Sequence, residues 1–258
     1  SDGAFGRVGS ILGRVSYGGR LDERLYQMAK AHALTGQQDA SIQRLKQLVG
    51  LYPKSPLVPE ARFRLAESAF AAGRYTEAET GYLHLVNSDA GGELGIKARY
   101  MLGWSQFKQG LSAWSRAAAT FIRVLDEFLP SAQSLGSVSD SSVDTIDDTF
   151  RVLALMAARN SGTDTLIAWL DGSRPHHWEH LLFDRLADYY AVKGETIASV
   201  AANQAFIDYS PSHRAVPAFR LQIVDVWQGA GDAEQVRNAR WGLVGGHDQE
   251  LGCATLAG

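Results

Sequence analysis

Glycine recurs at a fixed interval along the chain, and this repeat limits the possible folds more than any other feature. Gly36, Gly73 and Gly110 are separated by 37 residues each, and Gly194 and Gly231 show the same interval. An apolar residue followed by a small one stands seven residues before each of the first three glycines. A period of this length indicates one supersecondary unit that is stacked several times. The sequence therefore predicts a repeat protein.

Each unit is predicted to be a pair of α-helices joined at the glycine. Apolar residues recur at steps of three and four on both sides of the glycine, as they do on the buried face of an amphipathic helix. Glycine ends a helix in the left-handed region at little steric cost. Pro53, Pro130 and Pro211 follow the second helix of their units, because proline cannot continue a helix interior. Such a unit cannot bury its apolar face alone, so neighbouring units are expected to stack.

The repeat resembles the tetratricopeptide repeat (TPR) family. Phe183, Leu186, Ala187 and Tyr190 match the family's start, which is an aromatic residue, a leucine with a small residue, and a tyrosine. Residues 73–78, Gly-Arg-Tyr-Thr-Glu-Ala, match its turn and second helix. The usual family unit has about 34 residues, so the units of this chain have longer turns. The resemblance implies an all-α fold, a right-handed TPR superhelical solenoid of five to six helix-turn-helix units.

The repeat pattern and the local composition divide the chain into five predicted segments. They are a glycine-rich segment interpreted as the end of a preceding repeat (1–21), three TPR units (22–130), a Ser/Asp-rich loop (131–148), two to three degenerate TPR units (149–241) and a frayed C-terminal tail (242–258). Within the loop, Asp147 and Asp148 are interpreted as a helix N-cap. The alternative is an oxygen-rich cation site formed by these two residues and Asp144.

A lengthened turn indicates a narrower group within the family. Residues 52–56, Tyr-Pro-Lys-Ser-Pro, resemble the turn of TPR proteins of the Gram-negative envelope, such as the Tol–Pal-associated cell-division coordinator and the outer-membrane assembly lipoprotein. Residues 206–212 repeat the turn loosely. The resemblance implies a periplasmic protein in an envelope complex, with a cytoplasmic protein as the alternative. We interpret the chain as a fragment or a mature form, and association with a membrane through partners or a removed anchor stays open.

Composition and missing motifs exclude several classes of function. The chain has 25 basic and 28 acidic residues and a pI near 6.2, whereas a nucleic-acid binder is normally basic. One cysteine in 258 residues excludes a disulfide framework and a cysteine-built zinc site. No apolar stretch approaches the roughly 18–20 residues that cross a bilayer. Phosphate-binding loops, a nucleophile-elbow serine and a His-Glu-x-x-His pair are absent from the sequence, so neither an enzyme nor a cofactor is predicted.

The resemblance also implies a binding surface, because in TPR proteins the first helix of each unit lines the concave side. The positions that this implies for a partner-binding groove are Tyr26, Lys30, Phe63, Glu67, Phe70, Tyr100, Trp104 and Phe107. Aromatic residues are enriched where a surface meets a partner, and a groove between helices suits a protein or peptide segment. The leading prediction is therefore a non-catalytic scaffold for protein–protein interaction. The alternative for these aromatic residues, above all Phe70 and Phe107, is packing against neighbouring helices.

The second half of the chain differs in charge at the matching positions. Leu181, Asp184 and Asp188 occupy them, and this set is more acidic than its counterparts in the first half. We therefore expect either different ligands for the two halves or binding by the first half alone.

One alternative to the scaffold is a carbohydrate-binding function. Tyr100, Trp104 and Phe107 are candidates to stack on sugar rings, which would make the chain a carbohydrate-contacting module for peptidoglycan or an exported polysaccharide.

The least favoured function is that of a metal-dependent enzyme. If a helix starts at Pro175, His176 and His180 share one face with Glu179 close by, as metal ligands do. The favoured interpretation of these residues is a polar first helical turn exposed to water.

Overall fold

The computed structural model describes residues 20–88, 92–131, 140–171 and 175–252, and within 140–141 and 243–252 it describes only the backbone. Across these ranges the chain is all-α and has no strand, so the predicted fold class is confirmed. The chain divides into two compact units, and the boundary in the sequence falls between Phe121 and Ile122.

The first unit is built from helix pairs that pack on their sequence neighbours. Its helices are α1 (Leu21–Leu34), α2 (Gln38–Leu51), α3 (Val58–Ala71), α4 (Tyr75–Asn87), α5 (Gly92–Phe107) and, after a 3₁₀ turn at Leu111–Ala113, the first part of α6 (Trp114–Phe128). Helix α1 packs on α2 and α3 packs on α4, while α2 contacts α3 and α4 contacts α5. This nearest-neighbour packing is the arrangement expected of stacked helical repeats.

The second unit begins with the end of α6 and repeats the same scheme less regularly. Its other helices are α7 (Asp140–Ala158), α8 (Thr163–Leu170), α9 (Glu179–Val192), α10 (Thr196–Tyr209), α11 (Val216–Gly229) and α12 (Ala233–Gly252). Helices α9, α10 and α11 each pack on the next helix in the chain. Helix α7 packs mainly on α9, because the intervening α8 is only 8 residues long and covers little of either.

The repeated glycines end the first helix of their pairs, as predicted. The φ angles of Gly36, Gly73, Gly110, Gly194 and Gly231 are 76°, 75°, 93°, 73° and 75°. In this left-handed region a Cβ atom is unfavourable, and only glycine adopts it routinely. A Cβ atom added at any of these five positions would meet no atom within 4 Å. Glycine is therefore required at these positions by the backbone conformation and not by a lack of space for a side chain.

Two further glycines lie at close contacts between helices. A Cβ atom at Gly103 of α5 would lie 2.7 Å from the ring of Phe121, and one at Gly81 of α4 would lie 2.9 Å from the Cβ of Ala66. Such distances are shorter than real Cβ contacts allow. These two glycines therefore set how closely α5 approaches α6 and how closely α4 approaches α3.

None of the described helices has the length and hydropathy that a bilayer span requires. The prolines mark helix ends, as predicted. Helices α2, α6 and α10 end two residues before Pro53, Pro130 and Pro211. The predicted frayed tail is wrong over part of its length, because α12 continues from residue 242 to Gly252. The predicted segment 1–21 lies outside the described residues up to residue 19, and α1 begins at Leu21.

The predicted Ser/Asp-rich loop at 131–148 is wrong from Asp140 onward, where α7 begins. Residues 132–139 lie outside the described residues. The apolar residues Ile146 and Phe150 are buried, and their burial outweighs the low helix propensity of serine and aspartate. Asp147 lies inside the helix and forms a salt bridge with Arg185 of α9, so it is not an N-cap.

Asp148 also lies inside α7, where it forms a salt bridge with Arg151 one turn later. Its predicted role as an N-cap is therefore wrong for the same reason.

Candidate functional site

An open cavity of about 780 Å³ lies between α1, α2 and α3 of the first unit. Three of the predicted groove residues, Tyr26, Lys30 and Glu67, line it together. Arg64 and Arg74 line it as well, and neither belongs to the groove positions predicted from the sequence. The resemblance implies mainly aromatic positions for the groove. The charge of Arg64, directly after Phe63, was a signal that this position of α3 faces water.

A network of charged and hydroxyl groups holds one wall of this cavity. Arg64 donates to Glu60 one turn before it and to Glu67 one turn after it, each at 2.9 Å. The hydroxyl of Tyr26 donates to Glu60 at 3.4 Å, which links α1 to α3. The Arg64 guanidinium is therefore occupied by acids of its own helix, and the wall that it forms is held in place.

Tyr26 and Arg64 of this wall have raised pKa values. Burial raises the pKa of the Tyr26 hydroxyl, and the negative charge of Glu60 raises it further. For Arg64, burial acts to lower the pKa, but Glu67 and Glu60 together outweigh burial and raise it. Tyr26 thus stays a neutral hydrogen-bond donor and Arg64 stays a cation.

Among the described residues, no acid forms a salt bridge with Lys30, which also lines the cavity. Its ammonium lies 5.9 Å from the ring centroid of Tyr26, a cation–π distance, and within the described residues it forms no salt bridge. Arg74, in contrast, is bonded to Glu77 at 2.7 Å. Leu34 also lines the cavity and is 82% exposed. The cavity therefore presents an ammonium group beside an apolar surface.

Phe63 and Phe70 were predicted in the groove, and neither lines the cavity. Phe63 is only 6% exposed, and its ring packs edge-on against Tyr82 with centroids 5.5 Å apart. It belongs to the core of α3, α4 and α5, so its predicted place in the groove is wrong. Phe70 is half-buried and packs edge-on against Tyr75 at 5.4 Å, which supports the alternative of internal packing.

Tyr100, Trp104 and Phe107 form an aromatic cluster between α5 and α6, away from the cavity. Trp104 meets the rings of Tyr100, Phe107 and Phe121 edge-on at centroid distances of 6.2, 5.4 and 5.8 Å. Phe107 stacks on Trp114 at 5.5 Å. All three predicted residues are half-buried, and their ring contacts are to other rings of the chain. The structure thus offers no observation in favour of the sugar-stacking alternative.

The candidate metal residues His176, Glu179 and His180 are not arranged as predicted. Helix α9 begins at Glu179, so His176 lies before the helix and does not share a helical face with His180. His176 Nδ1 is 2.6 Å from Asp126 Oδ1, and its backbone N–H donates to Glu179 at 2.8 Å. The ring of His180 lies 5.0 Å from that of His213. No group of three or more potential ligands in the described parts of the chain could hold a metal ion.

The predicted exposure of this segment is also wrong. Trp178 is fully buried, stacks on His176 at 4.7 Å and meets Phe150 edge-on at 5.9 Å. Its indole N–H donates to Asp126 at 3.1 Å. The aromatic residue therefore anchors the start of α9 to α6 and α7.

A second cavity, of about 580 Å³, lies between α9, α10 and α11 of the second unit. Asp188, one of the acidic positions noted in the sequence, lines it. The other polar residues of its lining are Thr196, Ser199, Asn203, Gln222 and Asp225.

The two cavities occupy corresponding positions of their units. The offset that takes Gly36 to Gly194 also takes Gly73 to Gly231, and at this offset each polar residue of the second lining corresponds to a residue of the first lining. At this offset Lys30 corresponds to Asp188. The chain therefore repeats one cavity with two different sets of side chains.

Comparison with known families agrees with the first unit. Residues 26–90 match the family model described as tetratricopeptide repeat, a region that extends from α1 to α4 and includes the first cavity. No curated protein matches the chain at a significant level. The match to residues 26–90 agrees with the paired helices and the left-handed glycines of this region and supports a tetratricopeptide-repeat fold there.

Proposed function

We propose that the protein is a non-catalytic interaction module that binds a peptide segment of a partner protein in the cavity between α1, α2 and α3. Tetratricopeptide repeats generally mediate protein–protein interaction. The observation that carries the proposal is the open cavity of about 780 Å³ inside the matched region, with Tyr26, Lys30 and Glu67 in its lining. A cavity of this size holds a few side chains of a peptide.

The side chains of the cavity favour a particular kind of peptide. Lys30 offers an ammonium group without an acidic partner in the described chain, whereas Arg64 is already bonded to Glu60 and Glu67. Leu34, Ile42, Leu45 and several alanines supply the apolar part of the lining. An acidic side chain flanked by an apolar one is therefore the segment that this cavity suits best.

Photo-crosslinking in cells of the source organism tests the location of the binding surface. A photoreactive amino acid at Leu34, which lines the cavity, is compared with the same amino acid at Leu51. Leu51 is the matched control, because it is also an exposed leucine at the end of a helix (68% against 82%) and does not line the cavity. We expect specific adducts at Leu34 that are missing at Leu51. Equal adduct patterns at both positions would contradict the proposed surface.

Affinity measurements test the chemistry of the surface. Peptides selected from a displayed random library against the full chain are measured with Lys30→Ala and with Lys54→Ala, a control in a turn outside the cavity. Since a hydrogen bond to a charged group contributes about 1.5–3 kcal/mol, Lys30→Ala is expected to weaken binding roughly tenfold or more. Acid-free peptides whose affinity does not change in Lys30→Ala would refute the chemistry, provided that circular dichroism shows an intact fold.

We further propose that this interaction takes place within a complex of the bacterial envelope, on the periplasmic side. The support is the resemblance of the turn at residues 52–56. In the structure, Ser55 of this turn donates to Asp22 at 2.5 Å and accepts from the backbone N–H of Leu57 at 3.2 Å, so the serine of the turn has a defined bonding role.

Fractionation of native cells with an antibody against the protein tests the compartment. Release by osmotic shock supports the periplasm, and sedimentation with membranes indicates attachment through a partner or an anchor. Recovery with cytoplasmic enzymes would contradict the proposal and favour the cytoplasmic alternative.

A further inference from the structure

The cavity between α9, α10 and α11 contains hydrogen-bond acceptors that the described chain leaves unused. Ser199 and Asn203 are 0% and 1% exposed, and Ser199 Oγ and Asn203 Oδ1 have no hydrogen-bond partner. Gln222 Oε1 is likewise buried without a partner, since the amide nitrogen of Gln222 donates to Asp184. Buried polar atoms in native proteins are almost always bonded, so three such atoms in one lining indicate that something else occupies the cavity.

The charge of this cavity is negative. Asp188 and Asp225 belong to the lining, and none of its described residues is Lys, Arg or His. Partial burial raises the pKa of the Asp188 carboxyl, and the nearby charge of Asp184 raises it further, while Arg185 opposes the rise. The acids of the cavity therefore lack a cation that fully compensates them.

The corresponding cavity of the first unit shows which group is missing. Arg64 of the first unit bonds to Glu67 at 2.9 Å. In the second unit the acid is kept as Asp225, but Gln222 stands in the place of the arginine. The chain thus supplies its own guanidinium group in one unit and omits it in the other.

The remaining lining leaves room for that group. Asn203 replaces Leu45 of the first cavity, so an acceptor stands where a branched apolar side chain filled space. The walls are otherwise made of small residues such as Ala187, Ala191 and Gly229. A volume of about 580 Å³ admits a long side chain together with its charged end.

We propose that the cavity between α9, α10 and α11 binds the guanidinium group of an arginine side chain that belongs to a partner chain. A guanidinium group has five N–H donors and no acceptor, which is the complement of a lining that contains unused acceptors and two carboxylates. An ammonium group has only three donors and no planar fork. The proposal goes beyond the function assigned to the first unit, because the site and the chemistry of its ligand are different.

Titration of isotope-labelled full-length protein, followed by NMR, tests this site. The probe is the capped peptide Gly-Ser-Arg-Ser-Gly, and the signals are the side-chain amides of Asn203 and Gln222. We expect saturable shifts of both signals with this peptide and none when citrulline replaces arginine, since citrulline has the same shape without the charge. Agmatine, a free guanidinium compound, is titrated in parallel and is expected to bind more weakly than the peptide.

Two variants and a control locate the binding. Asn203→Leu introduces the residue that the first cavity has at this position, and Asp225→Asn removes one carboxylate. Each variant is expected to lower the affinity for the arginine peptide roughly tenfold. Asp208→Asn is the control, because Asp208 is an exposed acid of α10 outside the cavity. Circular dichroism establishes that each variant is folded.

Several results would overturn the proposal. They are an absence of saturable shifts, equal binding of the citrulline peptide, equal binding of a lysine peptide, and unchanged affinity in both cavity variants. Tighter binding of agmatine than of the peptide would overturn the assignment to a partner chain. The outcome is independent of the cross-links at Leu34, so the failure of one proposal is distinguishable from the failure of the other.

Discussion

Replacement of Trp178 by alanine is expected to destabilise the second unit strongly. The indole is fully buried, contacts His176 and Phe150, and donates to Asp126 at 3.1 Å. A buried aromatic side chain removes roughly 150–250 Å² from water, which at about 25 cal/mol per Å² corresponds to about 4–6 kcal/mol. Truncation of buried aromatic residues to alanine costs about 3–5 kcal/mol, so we expect a loss near 4 kcal/mol for Trp178→Ala.

Hydrogen exchange measured helix by helix is the suitable assay, because a chain of two compact units need not unfold in one step. A loss of about 4 kcal/mol corresponds to exchange roughly 1,000-fold faster in α7 and α9 when exchange proceeds through unfolding of the unit. Trp241→Ala is the matched control, because that tryptophan is 75% exposed. Its effect is expected to stay within about 0.5 kcal/mol.

A conservative variant separates the ring from its hydrogen bond. Trp178→Phe keeps an aromatic ring beside His176 and removes the N–H that donates to Asp126, so we expect a loss of about 1–2 kcal/mol. If Trp178→Ala left the exchange of α7 and α9 as unchanged as Trp241→Ala does, Trp178 would not anchor the start of α9.

Three further predictions concern close packing and titration. Gly103→Ala is expected to cost about 1–3 kcal/mol in thermal or urea unfolding, because its Cβ would lie 2.7 Å from the Phe121 ring, and an unchanged midpoint would contradict this packing. The hydrogen bond from Ser55, with that from Arg20, lowers the pKa of Asp22 from 3.8 to about 2. The contribution of ionised Asp22 to the free energy of unfolding is therefore complete above pH 3.8 and is lost as the pH falls toward 2. Ser55→Ala should raise the pKa of Asp22, as an NMR carboxyl titration would measure. Burial, and after it the charge of His213, lowers the pKa of His180 below 6.5. The free energy of unfolding is therefore expected to fall as the pH drops below 6.5, because protonation favours the unfolded chain. His180→Leu should make the melting temperature less dependent on pH in that range.

The sequence predicts the helix pairs well because their signals are local. A glycine in the left-handed region and a proline beyond a helix end act through the backbone of a few residues, and the structure confirms both kinds of signal. The same reasoning fails for α7, where serine and aspartate are abundant. There Ile146 and Phe150 recur at helical spacing and are buried, and this apolar face decides the structure although the local propensities favour a loop.

Side chains whose surroundings come from distant segments were harder to predict. The position of Phe63 in its unit implied an exposed ring. The ring is instead buried in the core, where it packs edge-on against Tyr82 of the next helix. Trp178 stands among polar neighbours that suggested a solvated turn. Its actual partner, Asp126, lies 52 residues earlier, and no local pattern connects the two residues.

Comparison of the two units with each other distinguishes residues that maintain the turn from residues that are available for binding. Ser55 and His213 correspond in position, and each accepts a backbone N–H two residues later at 3.2 Å, although one is a hydroxyl and the other an imidazole. The bond survives the change of side chain, so this position has a structural role. Arg64 and Gln222 also correspond, but the arginine bonds to two acids whereas the glutamine leaves a buried oxygen without a partner. Because Gln222 stands at the position of Arg64 in the repeat, the loss of a partner there is best explained by a ligand that brings the missing donors.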